Sequence, residues 1–300
     1  MPCYTPLQAF RSEKRNSVTS KFVLSFKELP DFREIQLPCG QCVGCRLERS
    51  RQWAVRCMHE ASMYDSNVFI TLTFNDVNCP VSLDVSVFQK FMKRLRKRLG
   101  SGIRFYHCGE YGEKFGRPHY HAILFNCDFP DKRVFKAQGE HVLFRSQILE
   151  ELWPFGYSSI GSVTFDSAAY VARYVMKKIT GKRADLSYEI GVDFDTGEVL
   201  TKKPEYNTMS RRPGIGRKWL DLYLSEVYPC DFVVMNGRKM RPPKYYDSQF
   251  EVLFPSDYAD IKEERAVNAL EFKADNTADR LDVRHQVQLG KLRSLVRPLE

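Results

Sequence analysis

The sequence predicts an α+β fold on three observations. Apolar, β-branched runs alternate with amphipathic helical stretches between residues 68 and 165, two histidines open one of those runs, and a cysteine cluster precedes them all. Taken in order, the elements read strand, helix, strand, strand, helix, strand, which is the split β-α-β arrangement of ferredoxin-like domains with an antiparallel sheet. The chain has 300 residues, 43% of them hydrophobic, enough to bury a sizeable core. The expected organisation is a cysteine-rich segment over 1–60, a core over 61–182 and a C-terminal extension over 183–300. No run approaches the roughly twenty apolar residues of a membrane span, and no apolar leader opens the chain, so a cytoplasmic protein without membrane contact is expected. Nine cysteines, partly clustered, fit reduced thiols and a metal site better than a disulfide framework. The formal charge of +9 favours a polyanionic partner.

Residues 1–45 show no sustained periodicity until Pro38-Cys39-Gly40-Gln41-Cys42-Val43-Gly44-Cys45. Two overlapping Cys-x-x-Cys steps suit thiolates converging on a tetrahedral zinc ion, with Cys39, Cys42 and Cys45 as three ligands. Cys3 is the expected fourth. Cys57 and His59 fall on a helix expected over Arg46–Tyr64, and twelve helical residues put Cys57 roughly 18 Å from Cys45. Val68–Phe74 is β-branched and aromatic and reads as a strand closed by Asn75-Asp76. Phe88, Phe91, Met92, Leu95 and Leu99 then recur at helical spacing. No acid interrupts residues 85–109, so Lys93, Arg94, Arg96 and Lys97 on that helix are candidate phosphate contacts.

Ile103–Glu110 reads as the next strand, turning through Tyr111-Gly112 and Gly116 into Pro118-His119-Tyr120-His121-Ala122. Side chains alternate along a strand, so His119 and His121 share a face, and Glu110 shares one with Tyr106 and Cys108 near the end of the partner strand. Two imidazoles and a carboxylate leave coordination positions open on a divalent ion. Glu113 is the alternative carboxylate. Oxygen-rich substrate ligands favour magnesium or manganese in that position. Arg117, in the turn, joins the candidate phosphate contacts.

Residues 144–153 form an expected helix ending before Pro154, and Ser158–Phe165 an expected strand. The stretch Asp166–Lys178 reads as a helix, capped by Asp166 or Ser167, that sets Tyr170 and Tyr174 one turn apart with Cβ atoms roughly 6 Å from each other. Arg173 and Lys177 follow each tyrosine by three residues. Adjacent cations favour a phenolate and contact phosphate, so a phenol with an ordinary pKa near 10 becomes a better nucleophile. Further on, Asp195-Thr196-Gly197 is an expected hairpin turn, and Arg211, Arg212, Arg217 and Lys218 around Pro213-Gly214-Ile215-Gly216 form a basic loop fit for backbone phosphates. Residues 255–300 mix both charges and suggest peripheral helices.

A histidine pair flanking one bulky residue, a preceding Glu110, and tyrosines four apart on a later helix together resemble the HUH endonucleases. Within that class the chain looks most like the rolling-circle replication initiators of microviruses of the gokushovirus type. Phe69–Phe74, Gly116–His121 and Ala169–Lys178 resemble the family's three motifs, and Pro38–Cys45 and Met209–Gly216 resemble further segments. The resemblance implies a divalent ion held by His119, His121 and Glu110, and attack by Tyr170 or Tyr174 on single-stranded origin DNA. The implied product is a 5′-phosphotyrosine linkage with a free 3′-hydroxyl for a host polymerase, the second tyrosine cutting the regenerated origin. A host helicase is implied as well, since the sequence holds no Gly-x-x-x-x-Gly-Lys-Ser/Thr phosphate loop. The alternative is a non-catalytic, zinc-containing binder of single-stranded nucleic acid on the same sheet. A transposase or plasmid relaxase of the same broad class would keep the chemistry in a different biological setting.

Overall fold

The computed structural model describes residues 3–17, 22–112, 116–139, 141–177, 196–198 and 202–293. The chain divides into two compact units, Met1–Arg49 with Lys262–Glu300, and Ser50–Ile261. In the first unit, strands β1 (Leu7–Arg15), β2 (Phe22–Ser25) and β3 (Phe32–Leu37) form an antiparallel sheet in the order β2-β1-β3. The absence of periodicity expected for residues 1–45 is thereby corrected. Ala9 and Ser12 are buried while most of the neighbouring strand residues are exposed or half-buried, so almost no apolar alternation marks these strands. Helix α1 (Val43–Ala61) contributes its first residues to this unit and the remainder to the second.

The second unit is built on a seven-stranded antiparallel sheet. Its strands are β4 (Asn67–Phe74), β5 (Arg104–Tyr111), β6 (Pro118–Phe125), β7 (Arg133–Gln138), β8 (His141–Arg145), β9 (Gly156–Gly161) and β10 (Tyr206–Met209), in the order β10-β5-β6-β4-β9-β8-β7. Since β6 is antiparallel to both β4 and β5, those two strands are parallel with β6 inserted between them. By the same logic β6 and β9 are parallel around β4. Each β-α-β unit supplies the strand that splits the other, as the order of elements predicts. The β7–β8 hairpin and β10 were not expected. Val134 and Phe135 of β7 lie exposed, and a bulge interrupts its register, so the hairpin lacks a clean buried face.

Alternation in β4 explains the two layers. Val68, Ile70, Leu72 and Phe74 face helices α2 (Val85–Leu99) and α3 (Gln147–Leu152), packing on Phe88, Phe91, Met92, Leu95, Leu149 and Trp153. On the opposite face, Tyr106, Cys108, Ile123 and Phe125 pack on Ala54 and Cys57 of α1 and on Ala168, Val171 and Ala172 of α4 (Phe165–Lys177). The expected strand over Ser158–Phe165 ends at Gly161, and Phe165 opens the helix. Thr164 caps that helix in place of Asp166 or Ser167. Its Oγ1 accepts from the Ser167 amide at 3.1 Å while Ser167 Oγ accepts from the Thr164 amide at 2.8 Å. The remaining helices are α5 (Arg217–Val227), α6 (Lys244–Leu253), α7 (Pro255–Leu270) and α8 (Ala278–Arg293), with a two-stranded ribbon, β11 (Val233–Met235) and β12 (Arg238–Met240). Val55, Leu220, Tyr246 and Phe250 anchor a third apolar cluster. Among the described residues no helix is long and apolar enough to cross a membrane.

Candidate metal centre

Glu110, His119 and His121 come together on the sheet face covered by α4. Register pairs Glu110 with His119 and Cys108 with His121, so β5 and β6 deliver the three side chains to one face. One carboxylate oxygen, Glu110 Oε1, lies 2.7 Å from His119 Nε2 and 3.0 Å from His121 Nε2. The backbone carbonyl of Arg117 lies 3.0 Å from His119 Nδ1, and Thr71 Oγ1 lies 2.9 Å from His121 Nδ1. A carbonyl only accepts, so His119 carries its proton on Nδ1 and, when neutral, turns its Nε2 lone pair toward a carboxylate oxygen. Lone pairs facing one another at that distance repel unless a positive charge sits among them. Either an extra proton or a cation therefore belongs here.

The donor set fits a divalent cation. Ligands at about 2.1 Å on adjacent octahedral positions lie about 3 Å apart, which matches the Glu110 to histidine spacing. Glu110 Oε2 is buried without a hydrogen-bond partner among the described residues, leaving a second oxygen for a ligand. The centre is buried but not sealed. Glu110 and His121 side chains are 3% and 7% exposed, while that of His119 is 17% exposed, so the opening is on the His119 side. Burial pushes the Glu110 carboxyl up, but its bonds to His119 and His121 outweigh that and hold it below the ordinary carboxylate value. Glu113, the alternative carboxylate, lies outside the described residues.

Tyr170 stands at this centre. Its ring meets His121 edge to face, with centroids 5.3 Å apart, and meets Phe69 at 6.4 Å in the same manner. Phe69 in turn stacks on His121 at 5.7 Å. The helix is braced from two sides: Ser50 Oγ donates to the Ala169 carbonyl at 2.8 Å, and Asn207 Nδ2 donates to the Val171 carbonyl at 3.1 Å. The side chains of Arg173, Tyr174 and Lys177 lie outside the described residues. Thr71 and Phe69 were missed in the sequence. Their signal was legible, because Thr71 and Thr73 interrupt an otherwise apolar strand on the odd-numbered face that opposes the histidines.

Apart from Arg117, the structure does not bring the other candidate DNA contacts to this centre. Lys93, Arg94, Arg96 and Lys97 lie on α2, which covers the opposite face of the sheet. Arg94 and Arg96 have structural bonds, their NH2 groups donating to the carbonyls of Leu152 at 3.0 Å and Ile103 at 2.9 Å. Arg117 does lie beside the centre, donating to the Phe74 carbonyl at 3.1 Å and pairing with Asp76. Arg211, Arg212 and Pro213 are exposed, but Ile215 and Gly216 just beyond them are buried, and the Pro213–Gly216 segment is anchored rather than a free loop. Arg104 donates to the Pro213 carbonyl at 2.7 Å, Arg56 to that of Ile215 at 3.0 Å, and the Gly216 amide donates to Glu60 at 2.7 Å.

A second donor cluster lies in the first unit. The Sγ atoms of Cys3, Cys39, Cys42 and Cys45 all lie within 4.8 Å of one another. A tetrahedron of sulfurs at 2.3 Å from zinc has edges of about 3.8 Å, and Cys42 Sγ lies 4.0 Å from Cys3 Sγ. Backbone amides point at the sulfurs: Cys39 at Cys3 (3.3 Å), Cys42 at Cys39 (3.2 Å) and Tyr4 at Cys42 (3.3 Å). Burial raises the Cys39 thiol, but bonds from Thr5 and from the amides of Cys42 and Gln41 prevail and lower it to about 6. These donors favour thiolates at Cys39 and Cys42, while burial raises the thiols of Cys3 and Cys45. Cys57 belongs to the core under the sheet, and His59 stacks on Trp219 with centroids 3.4 Å apart.

A buried pair of histidines and a carboxylate on an antiparallel sheet, with a tyrosine ring against one imidazole, defines an α+β protein with a candidate catalytic metal centre. Comparison with known proteins gives the family. A family model described as Replication-associated protein ORF2/G2P matches residues 67–179, the stretch that carries this centre. Replication-associated protein VP4 of Bdellovibrio phage phiMH2K is 34% identical over 271 residues, covering 86% of this chain and 80% of that protein. Replication-associated protein ORF2 of Spiroplasma virus 4 is 31% identical over 290 residues, covering 88% and 86%. Replication-associated protein ORF4 of Chlamydia phage 1 is 30% identical over 265 residues, covering 83% and 63%. No solved structure matches the chain. The chain belongs to the family of phage replication-associated proteins, and the resemblance read from its motifs is borne out at that level.

Proposed function

We propose that this protein is an HUH endonuclease that nicks and rejoins single-stranded DNA to start and finish rolling-circle replication of a circular phage genome. The observation that carries this reading is the sharing of Glu110 Oε1 by His119 Nε2 and His121 Nε2, with the Tyr170 ring against His121. The nuclease core is assigned to residues 61–182, flanked by a zinc-binding segment and a C-terminal extension. His119, His121 and Glu110 would hold a magnesium or manganese ion, which would supply Lewis-acid polarisation of the scissile phosphate.

The tyrosine hydroxyl attacks phosphorus, its Oη–P bond forming as the P–O3′ bond breaks. The hydroxyl proton passes to solvent, and the departing 3′ oxygen takes a proton from solvent to become a free 3′-hydroxyl. The strand's 5′ end stays on the enzyme as a phosphotyrosine. Because the phosphoester is retained, the reverse attack by a 3′-hydroxyl rejoins DNA without ATP. Tyr170 and Tyr174 alternate in this role, with Arg173 and Lys177 stabilising phenolate and phosphate. Arg117 neutralises phosphate at the rim, and Arg211 and Arg212 extend the backbone contacts. Lys93, Arg94, Arg96 and Lys97 act on α2, away from the centre. Zinc on Cys3, Cys39, Cys42 and Cys45 is structural. The protein works in the cytoplasm of the bacterial host with a host helicase and polymerase.

The test is incubation of the full chain with labelled circular single-stranded origin DNA and manganese, followed by denaturing electrophoresis. A covalent protein–DNA band is expected for the wild type, and is expected to vanish in Tyr170→Phe/Tyr174→Phe and in His121→Ala. Retention in one single mutant names the other tyrosine as sufficient. Tight binding without a band on any cognate origin would replace the enzyme with the non-catalytic binder.

A further inference from the structure

We infer that Tyr157 is a stacking platform that holds a base of the single strand beside the metal centre. The inference rests on the nicking reading above and concerns how its substrate is gripped. Register carries the argument. Glu110 pairs with His119, His119 with Thr73, and Thr73 with Tyr157, so four directly opposed residues on four adjacent strands point to one face of the sheet. Two of them are metal-site donors. Tyr157 lies two strands from His119, about 10 Å away at the usual strand spacing. Tyr157 is 63% exposed.

Among the described residues none packs on that ring. Among the described residues it stacks on no other aromatic and its hydroxyl has no hydrogen-bond partner, and it belongs to none of the three apolar clusters. Its position is nevertheless tightly set. A Cβ on Gly156 would fall 2.3 Å from the Thr73 carbonyl oxygen, so only glycine lets β9 enter the sheet this close to β4 and set Tyr157 opposite Thr73. Short side chains, Thr71 and Thr73, separate the donors from Tyr157 on this face. Arg117 lies at the end of β4, on the Phe74 carbonyl and Asp76, where a strand crossing from the donors to Tyr157 would meet a cation for its phosphate. An exposed aromatic face, a neighbouring guanidinium and a phosphate-reactive centre in one row are the components of a single-strand groove, where bases stack without sequence preference.

Full-length protein and a fluorescent oligothymidylate of about 20 nucleotides, followed by anisotropy, provide the test. Base–aromatic stacking predicts that Tyr157→Ala weakens binding about 5- to 150-fold and Tyr157→Phe by less than about twofold. An oligonucleotide with one abasic position that weakens wild-type binding should weaken Tyr157→Ala no further. Equal affinity of Tyr157→Ala and wild type, with circular dichroism unchanged, overturns the inference while the nicking reading stands. Equal losses in Tyr157→Phe and Tyr157→Ala overturn stacking in favour of the hydroxyl. A wild type that neither binds single strands nor forms the covalent band overturns both.

Discussion

At the residue scale, Glu110 joins two imidazoles whose outer nitrogens are already engaged, His119 by the Arg117 carbonyl and His121 by Thr71. Those outer bonds orient the rings before any ion arrives, which lowers the cost of assembling the centre. Glu110→Gln removes the charge and keeps the shape. Manganese affinity, measured by calorimetry, is expected to fall at least tenfold, on the order of what even outer partners of metal ligands contribute. His59 gives a pH prediction. Burial against Trp219 and Tyr246 lowers its pKa to about 3, so it stays neutral in the fold. The unfolded chain, with a histidine near 6.5, binds that proton first as pH falls. Stability should therefore be complete above pH 6.5 and decline by up to about 1.4 kcal/mol per pH unit from there toward pH 3. Urea midpoints across that range should fall more steeply for the wild type than for His59→Gln.

At the scale of elements, the anchor beneath α5 shows what holds the C-terminal part of this unit against the sheet. Glu60 on α1 takes Arg104 of β5 and the Gly216 amide together, and both charged groups are buried. Arg104→Ala would strand the Glu60 carboxylate, and a loss of about 3–5 kcal/mol is expected in urea unfolding. Gly216→Ala should also destabilise, since φ is +77° there and its Cβ would lie 2.5 Å from the Tyr246 hydroxyl. Helix α2 yields a different expectation. Its lysines lie on the far side of the sheet from the donors, so Lys93→Glu/Lys97→Glu should leave adduct formation unchanged on an oligonucleotide only long enough to span the centre. A slower reaction there would bring the DNA path round to α2. The motifs read as a basic loop were legible as chemistry but not as packing, because Pro213-Gly214-Ile215-Gly216 carries no apolar periodicity to announce the burial of Ile215 and Gly216.

For the whole molecule, the chemistry divides between two compact units, one holding the four-cysteine cluster and the other the histidine centre. The first has a small sheet with few buried apolar residues, the kind of fold a metal stabilises. A strong chelator should release about one zinc per chain and lower the melting temperature of that unit, with the same effect from Cys42→Ser, as followed by metal analysis and calorimetry. An unchanged melting curve after removal of all zinc would end the structural-zinc reading.

Much of this architecture follows from local pattern. Alternation along Val68–Phe74 and spacing along Phe88–Leu99 specify which faces are apolar, and the hairpin spacing of Glu110, His119 and His121 specifies one shared face, because side-chain direction in a strand has a period of two. The N-terminal strands and the β7–β8 hairpin escaped because they bury too little to leave an apolar rhythm. The approach of Tyr170 to His121, the burial of Ile215 and Gly216, the separation of α2 from the centre and the row from Glu110 to Tyr157 all depend on partners dozens of residues apart. Sequence alone determined which side chains could share a face. Only the tertiary structure decided which faces meet, because strand order and layer packing are set by burial summed over the whole sheet rather than by any single segment.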